Sequence, residues 1–193
     1  MSIREATETG RIVVTEFFSY QCPHCFAFDP ALHDWLEHLP DDVTFERVPI
    51  SIGHSQWSPI ARAFFALKAM GAPDSLHAGI FRAIHVDGAR LYDREAVVSW
   101  VSARGLDRAQ FSAIYDSFGI DATVRKAEQT ARAQKVFSVP SLSIDGRYLV
   151  MIYDSGTSER RLAFERQLDG VSELIELVRS QKNPDIGSSA AIR

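Results

Sequence analysis

Apolar and polar positions alternate first over residues 12 to 18, Ile-Val-Val-Thr-Glu-Phe-Phe. The β-branched and aromatic run predicts a strand, with Ile12, Val14, Glu16 and Phe18 on one face and Val13, Thr15 and Phe17 on the other. If both faces are covered, Glu16 becomes a carboxylate inside an apolar row. After a short turn the period changes. Phe28, Leu32, Trp35, Leu36 and Leu39 recur at helical spacing, so a helix starts at Cys22 with Pro23 in the first helical position and a kink at Pro30. Cys22 then sits at the exposed helix start and Cys25 at the top of the buried stripe. Val43 to Ile50 returns to strand character, which makes the opening a βαβ unit with parallel strands.

Helical periodicity then takes over. One helix opens at Ser58-Pro59, buries Ile60, Ala63, Phe64 and Leu67 and stops at Gly71. A second carries Leu76, Ile80 and Ile84 and ends near Gly88. Asp93 caps a third, with Val97, Trp100 and Val101 inward and Gly105 after it. Asp107 caps a fourth, with Phe111, Ile114, Tyr115 and Phe118 inward and Gly119 as its stop. Residues 122 to 136 are helical with weak amphipathicity. A strand over 139 to 144, the turn Asp145-Gly146 and a returning strand over 148 to 152 form a hairpin. Residues 153 to 166 are polar and follow no period. Val171, Leu174, Ile175 and Val178 mark a last helix, and the tail 183 to 193 is expected to be disordered. The order βαβ, helices, ββα places an insertion at 58 to 137 within a unit made of 1 to 57 and 138 to 182.

Composition narrows the function classes. The chain has 193 residues, a net charge of −4 and 46% hydrophobic residues, which suits a soluble globular protein that needs no disulfide framework. Mild acidity argues against nucleic-acid binding. No run of about 18 apolar residues predicts a membrane helix. Met1 to Gly10 lacks the apolar core of a signal peptide, which fits a cytosolic protein or a mature exported one.

The only two cysteines stand three apart, in Cys22-Pro23-His24-Cys25. A thiolate at a helix N-terminus is stabilised by unpaired backbone N–H groups and the helix dipole, and His24 can add a charge or a hydrogen bond. The strand-turn-helix context points to redox chemistry, with Cys22 as the reactive thiol and Cys25 as the thiol that closes the disulfide. Core packing or half a zinc site is the competing reading. A zinc site needs four ligands, and no second cysteine pair exists; His33 and His38 have suitable spacing but lie within one helix.

Glu16-Phe-Phe-Ser-Tyr-Gln-Cys-Pro-His-Cys25 resembles the active-site segment of the DsbA family of thiol:disulfide oxidoreductases. Val139-Pro140, followed by a strand and Asp145-Gly146, resembles that family's cis-proline loop. The resemblance covers residues 12 to 150 and the last helix. It implies an α/β thioredoxin fold with an inserted helical domain. It also implies an enzyme that introduces disulfides into exported polypeptides in the periplasm as a monomer, with no cofactor beyond a Cys22–Cys25 disulfide, reoxidised by a DsbB-type membrane quinone reductase. By the same resemblance Cys22 is the nucleophile, Cys25 the resolving thiol, His24 the thiolate stabiliser and Glu16 a buried proton relay, with a salt bridge to Arg47 as its alternative. Pro23, Val139 and Pro140 would meet the substrate. A reductase or isomerase of the same fold and a redox-silent peptide-binding module are the alternatives. The family usually has a further strand before the one carrying Glu16, and here it is expected to be missing or truncated. His54 and Trp57 are expected to be core or groove residues, His85 a satisfied helix-end residue, and Arg160, Arg161 and Arg166 a solvated basic face.

Overall fold

The computed structural model describes residues 10–72 and 75–182. Residues 1 to 9 and the tail 183 to 193 fall outside these residues, so the expectations of a truncated leading strand and a disordered tail do too. The chain runs β1 (Ile12–Phe18), α1 (Pro23–Leu36), β2 (Val43–Pro49), a short 3-10 turn (Ser55–Trp57), α2 (Ser58–Ala69), α3 (Ser75–His85), α4 (Arg94–Ser102), α5 (Arg108–Tyr115), α6 (Phe118–Ala133), β3 (Ser141–Ile144), β4 (Tyr148–Met151) and α7 (Arg160–Lys182).

The strands form one sheet in the order β2-β1-β3-β4. β1 pairs parallel with β2, with Glu16 opposite Arg47, and antiparallel with β3, with Glu16 opposite Leu142. β3 pairs antiparallel with β4, Ile144 opposite Tyr148, through a three-residue connection in which Arg147 N–H donates to the Ile144 carbonyl at 2.9 Å and Asp145 and Gly146 both have left-handed φ values, 54° and 67°. Every residue of β1 is buried, because it lies second in the sheet with both faces covered. Ile12 and Val14 pack with Phe28 and Leu32 of α1 and with Phe164, Leu168 and Val171 of α7. Phe17, on the opposite face, meets Val48, Phe65, Ile120 and Ala127. Phe18 enters a third cluster with Tyr20, both cysteines, Phe81 and Phe111.

Two expectations change here. The fourth periodic stripe divides between two helices. Ser117 accepts a hydrogen bond from Ile120 N and caps α6, so Gly119 lies inside α6, and Phe118, expected inward, is 78% exposed. The last helix begins at Arg160, within the stretch that showed no period, since only Phe164 and Leu168 of its early turns need to be buried. The basic cluster is a solvated face, as expected: Arg160, Arg161 and Arg166 are all exposed, with Arg160 donating to Asp154 and Arg161 pairing with Asp34 and Glu165. Elsewhere Asp93 and Asp107 cap α4 and α5 through Ala96 N and Gln110 N, as expected. No helix among the described residues is long and apolar enough to cross a membrane.

Candidate active site

β1 ends by delivering Ser19-Tyr20-Gln21 to the start of α1. Cys22 is the N-cap, with extended backbone, and Pro23 occupies the first turn, where its missing N–H removes nothing from the helix ladder. Both cysteines are free and buried; Cys22, expected at an exposed helix start, is only 4% exposed because it packs in the cluster of Phe18, Tyr20 and Phe81. The Cys22 thiol is lowered from 9.0 to about 6. The hydrogen bond from the Cys25 thiol contributes most; burial opposes it, and the backbone N–H groups of Cys25 and His24 and the His24 charge complete the stabilisation. Cys25 goes the other way. It is fully buried, and desolvation, the hydrogen bond to Cys22 and the neighbouring negative charges of Cys22 and Glu16 push its thiol well up. The two sulfurs therefore differ in role by environment alone: one is held as a thiolate near neutral pH, the other as a thiol. Ser19 N–H points at the Cys25 sulfur, at 3.5 Å.

The second predicted motif meets the first. Val139-Pro140 is a cis peptide, and Cys22 Sγ lies 3.5 Å from the Val139 carbonyl oxygen, to which its protonated form donates, across 117 positions of sequence. Glu16 is 2% exposed. Burial raises its carboxyl from 4.5 to about 7, even though Arg47 lies against it. Arg47 Nε donates to Glu16 at 3.0 Å and its Nη2 to Asp29 at 3.4 Å, which is the salt bridge given as the alternative reading of Glu16.

His24 is exposed at the site and turns its Nδ1 toward Asp154, 3.2 Å away. Asp154, with a side chain only 6% exposed, also accepts from Gly156 N and Arg160 Nε. Burial would raise it, but these donors outweigh burial and hold its carboxyl below the ordinary range. Sequence reasoning missed Asp154; its one signal was Asp-Ser-Gly, a side-chain turn motif, with Gly156 at φ 65°. Trp57 is half-buried against the cluster that holds the cysteines, with its ring tilted against that of His54, the centroids 4.5 Å apart. His85 does end α3, as expected, but its Nε2 is bonded to the carbonyl of Tyr20, in the active-site loop. Among the described residues, His, Cys, Asp and Glu form no group of three able to hold a metal.

A family model for the DSBA-like thioredoxin domain matches residues 13–161, a span that includes both motifs. The chain belongs to the DsbA family of thiol:disulfide oxidoreductases. It is 39% identical over 140 residues to the thiol:disulfide interchange protein DsbA of Bordetella parapertussis, a match covering 72% of this chain and 66% of that protein. It is 34% identical over 159 residues to the DsbA of Pseudomonas syringae, covering 82% and 74%. The crystal structure of Pseudomonas aeruginosa DsbA superposes with a TM-score of 0.80 at 32% identity, covering 93% of this chain and 90% of that one. The fold is therefore the thioredoxin-like fold of DsbA proteins, with a mixed four-stranded sheet and helices inserted between β2 and β3.

Proposed function

We propose that the protein is a disulfide-introducing oxidase that acts on thiols of exported polypeptides through the Cys22–Cys25 pair. The observation that carries this reading is the opposite displacement of the two thiols, Cys22 down to about 6 and Cys25 well up. A stabilised thiolate favours the dithiol form and so makes the disulfide form a strong oxidant. A substrate thiolate attacks Cys22 Sγ of the disulfide, the S–S bond breaks, and its electron pair leaves on Cys25, which takes up a proton. A second substrate thiolate then attacks the substrate sulfur of the mixed disulfide. Cys22 departs as a thiolate, a good leaving group because of its low pKa, and the substrate leaves oxidised. Two electrons remain on the pair until a DsbB-type membrane quinone reductase removes them. The pair itself is the redox centre, with no further cofactor.

In this reading Glu16 passes the proton to and from Cys25, supported by its burial and its charge effect on that thiol. His24 supports the Cys22 thiolate, and Pro23, Val139 and Pro140 line the substrate's path, the Val139 carbonyl by its contact with Cys22. The thioredoxin-fold unit comprises 1 to 57 and 138 to 182, and the helical unit 58 to 137. The protein works as a monomer in the periplasm.

A glutathione redox titration of the Cys22–Cys25 pair tests the reading, with denaturation of both redox forms beside it. An oxidase gives a dithiol form more stable than the disulfide form. Greater stability of the disulfide form would assign the protein to reduction instead.

A further inference from the structure

Helix α3 carries His77, Phe81 and His85 at four-residue intervals, so they share one face. That face closes on the segment bearing the cysteines. Tyr20, two residues before Cys22, is buried with its ring centroid 5.2 Å from that of His77 and 5.0 Å from that of Phe81. Its hydroxyl lies 2.7 Å from His77 Nδ1, and His77 Nε2 lies 3.1 Å from Asp29 Oδ1. A carboxylate only accepts, so Nε2–H donates to Asp29. With one proton on the ring, Nδ1 is then the acceptor of the Tyr20 O–H. At the other end of Tyr20, His85 Nε2–H donates to its carbonyl at 2.8 Å. The His85 ring lies flat on Phe26, the residue after Cys25, with centroids 4.9 Å apart and planes 9° apart.

We propose that His77 and His85 are positioning residues for thiol exchange. By pinning Tyr20 at its hydroxyl and at its carbonyl, they hold the turn Ser19 to Gln21 in place. That turn keeps Ser19 N–H on the Cys25 sulfur, and it fixes Cys22 N on the Ser19 carbonyl at 3.1 Å, which aims the first N–H groups of α1 at the reactive sulfur. The helices between β2 and β3 thereby set how well the site stabilises its thiolate. Neither histidine touches the reacting sulfurs; both act through Tyr20. The buried phenol also needs its partner, because a buried hydroxyl left unpaired is costly. The proposal rests on the exchange activity proposed above.

The test separates hydrogen bond from packing. His85→Phe keeps a ring to stack on Phe26 but cannot donate to Tyr20. His85→Gln loses the ring and keeps an N–H near the Nε2 position. Tyr20→Phe removes only the hydroxyl that faces His77. The readouts are the glutathione equilibrium constant and the Cys22 pKa, followed through the ultraviolet absorbance of the thiolate. His85→Phe and Tyr20→Phe are expected to raise the Cys22 pKa and shift the constant about three- to tenfold toward a less oxidising protein, the range one hydrogen bond supplies. His85→Gln should stay within about twofold of the parent. If His85→Phe shifts the constant no more than His85→Gln, the proposal is overturned, even if both melt earlier. Should His85→Phe fail to fold, an unchanged constant in Tyr20→Phe overturns it equally. A parent protein with no glutathione equilibrium would sink the exchange reading itself; one that equilibrates normally while the variants match it sinks this proposal alone.

Discussion

At the scale of single residues, the site is built by environment acting on ordinary groups. Of the influences that lower Cys22, the Cys25 thiol ranks first and the His24 charge last. His24→Ser should therefore raise the Cys22 pKa from about 6 by less than about one unit, with a correspondingly less oxidising pair. A thiolate absorbance titration checks this, and an unmoved curve would leave His24 with no electrostatic role. Glu16 gives a second expectation with a definite sign. Its folded pKa of about 7 lies above the 4.5 of the free group, so burial favours the protonated form. Its contribution to stability is fully present below 4.5 and is lost as pH rises through 7. Glu16→Gln removes this term, so the parent's stability relative to the variant should fall by about 3 kcal/mol between pH 4 and pH 8, measured by urea denaturation at each pH. A pH-independent difference would show that Arg47 keeps the carboxylate ionised throughout.

At the scale of elements, the sequence was informative wherever one local rule decided the outcome. The caps at Asp93 and Asp107, the left-handed glycines 71, 88 and 105 and the Asp145-Gly146 turn are all local features, and all occur where the pattern put them. Asp107→Ala should cost about 1 kcal/mol of global stability, the usual value of an N-cap side chain, and chemical denaturation would detect it. Elements decided by long-range packing were harder to see. Phe118 and Phe111 look alike in a helical repeat, yet Ser117 starts a new helix between them and turns Phe118 to the surface. Of the site, both cysteines, Glu16 and the Val139-Pro140 pair were legible because they belong to compact motifs. Asp154, His77 and His85 were not, because each reaches the site across at least 50 positions of chain, and the turn motif at Asp154 says nothing of a partner so far away.

At the scale of the whole molecule, redox state and stability are linked through Cys22. Its folded pKa is depressed from 9.0 to about 6, so the dithiol protein gains a stabilisation that is complete above 9.0 and lost as pH falls through 6. The disulfide form has no such group. The stability advantage of the dithiol form should therefore narrow steadily from pH 9 to pH 6, which paired thermal melts of the two forms would follow. A gap independent of pH would mean that the advantage has a source other than the thiolate.

The sheet's order has a consequence for how the chain comes together in time. β1 comes first among the described elements, but its neighbour β3 follows only after all five helices α2 to α6; in the pairing, Val14 waits for Ile144. Closing so long a loop is entropically costly until both ends exist, whereas the helices between them are rich in local contacts. Amides of α2 to α6 should then gain protection before those of β1 and β3 in pulsed hydrogen exchange during refolding. Until β3 docks, Val139 cannot reach Cys22, so a growing chain presents its cysteines before it has the loop that faces them.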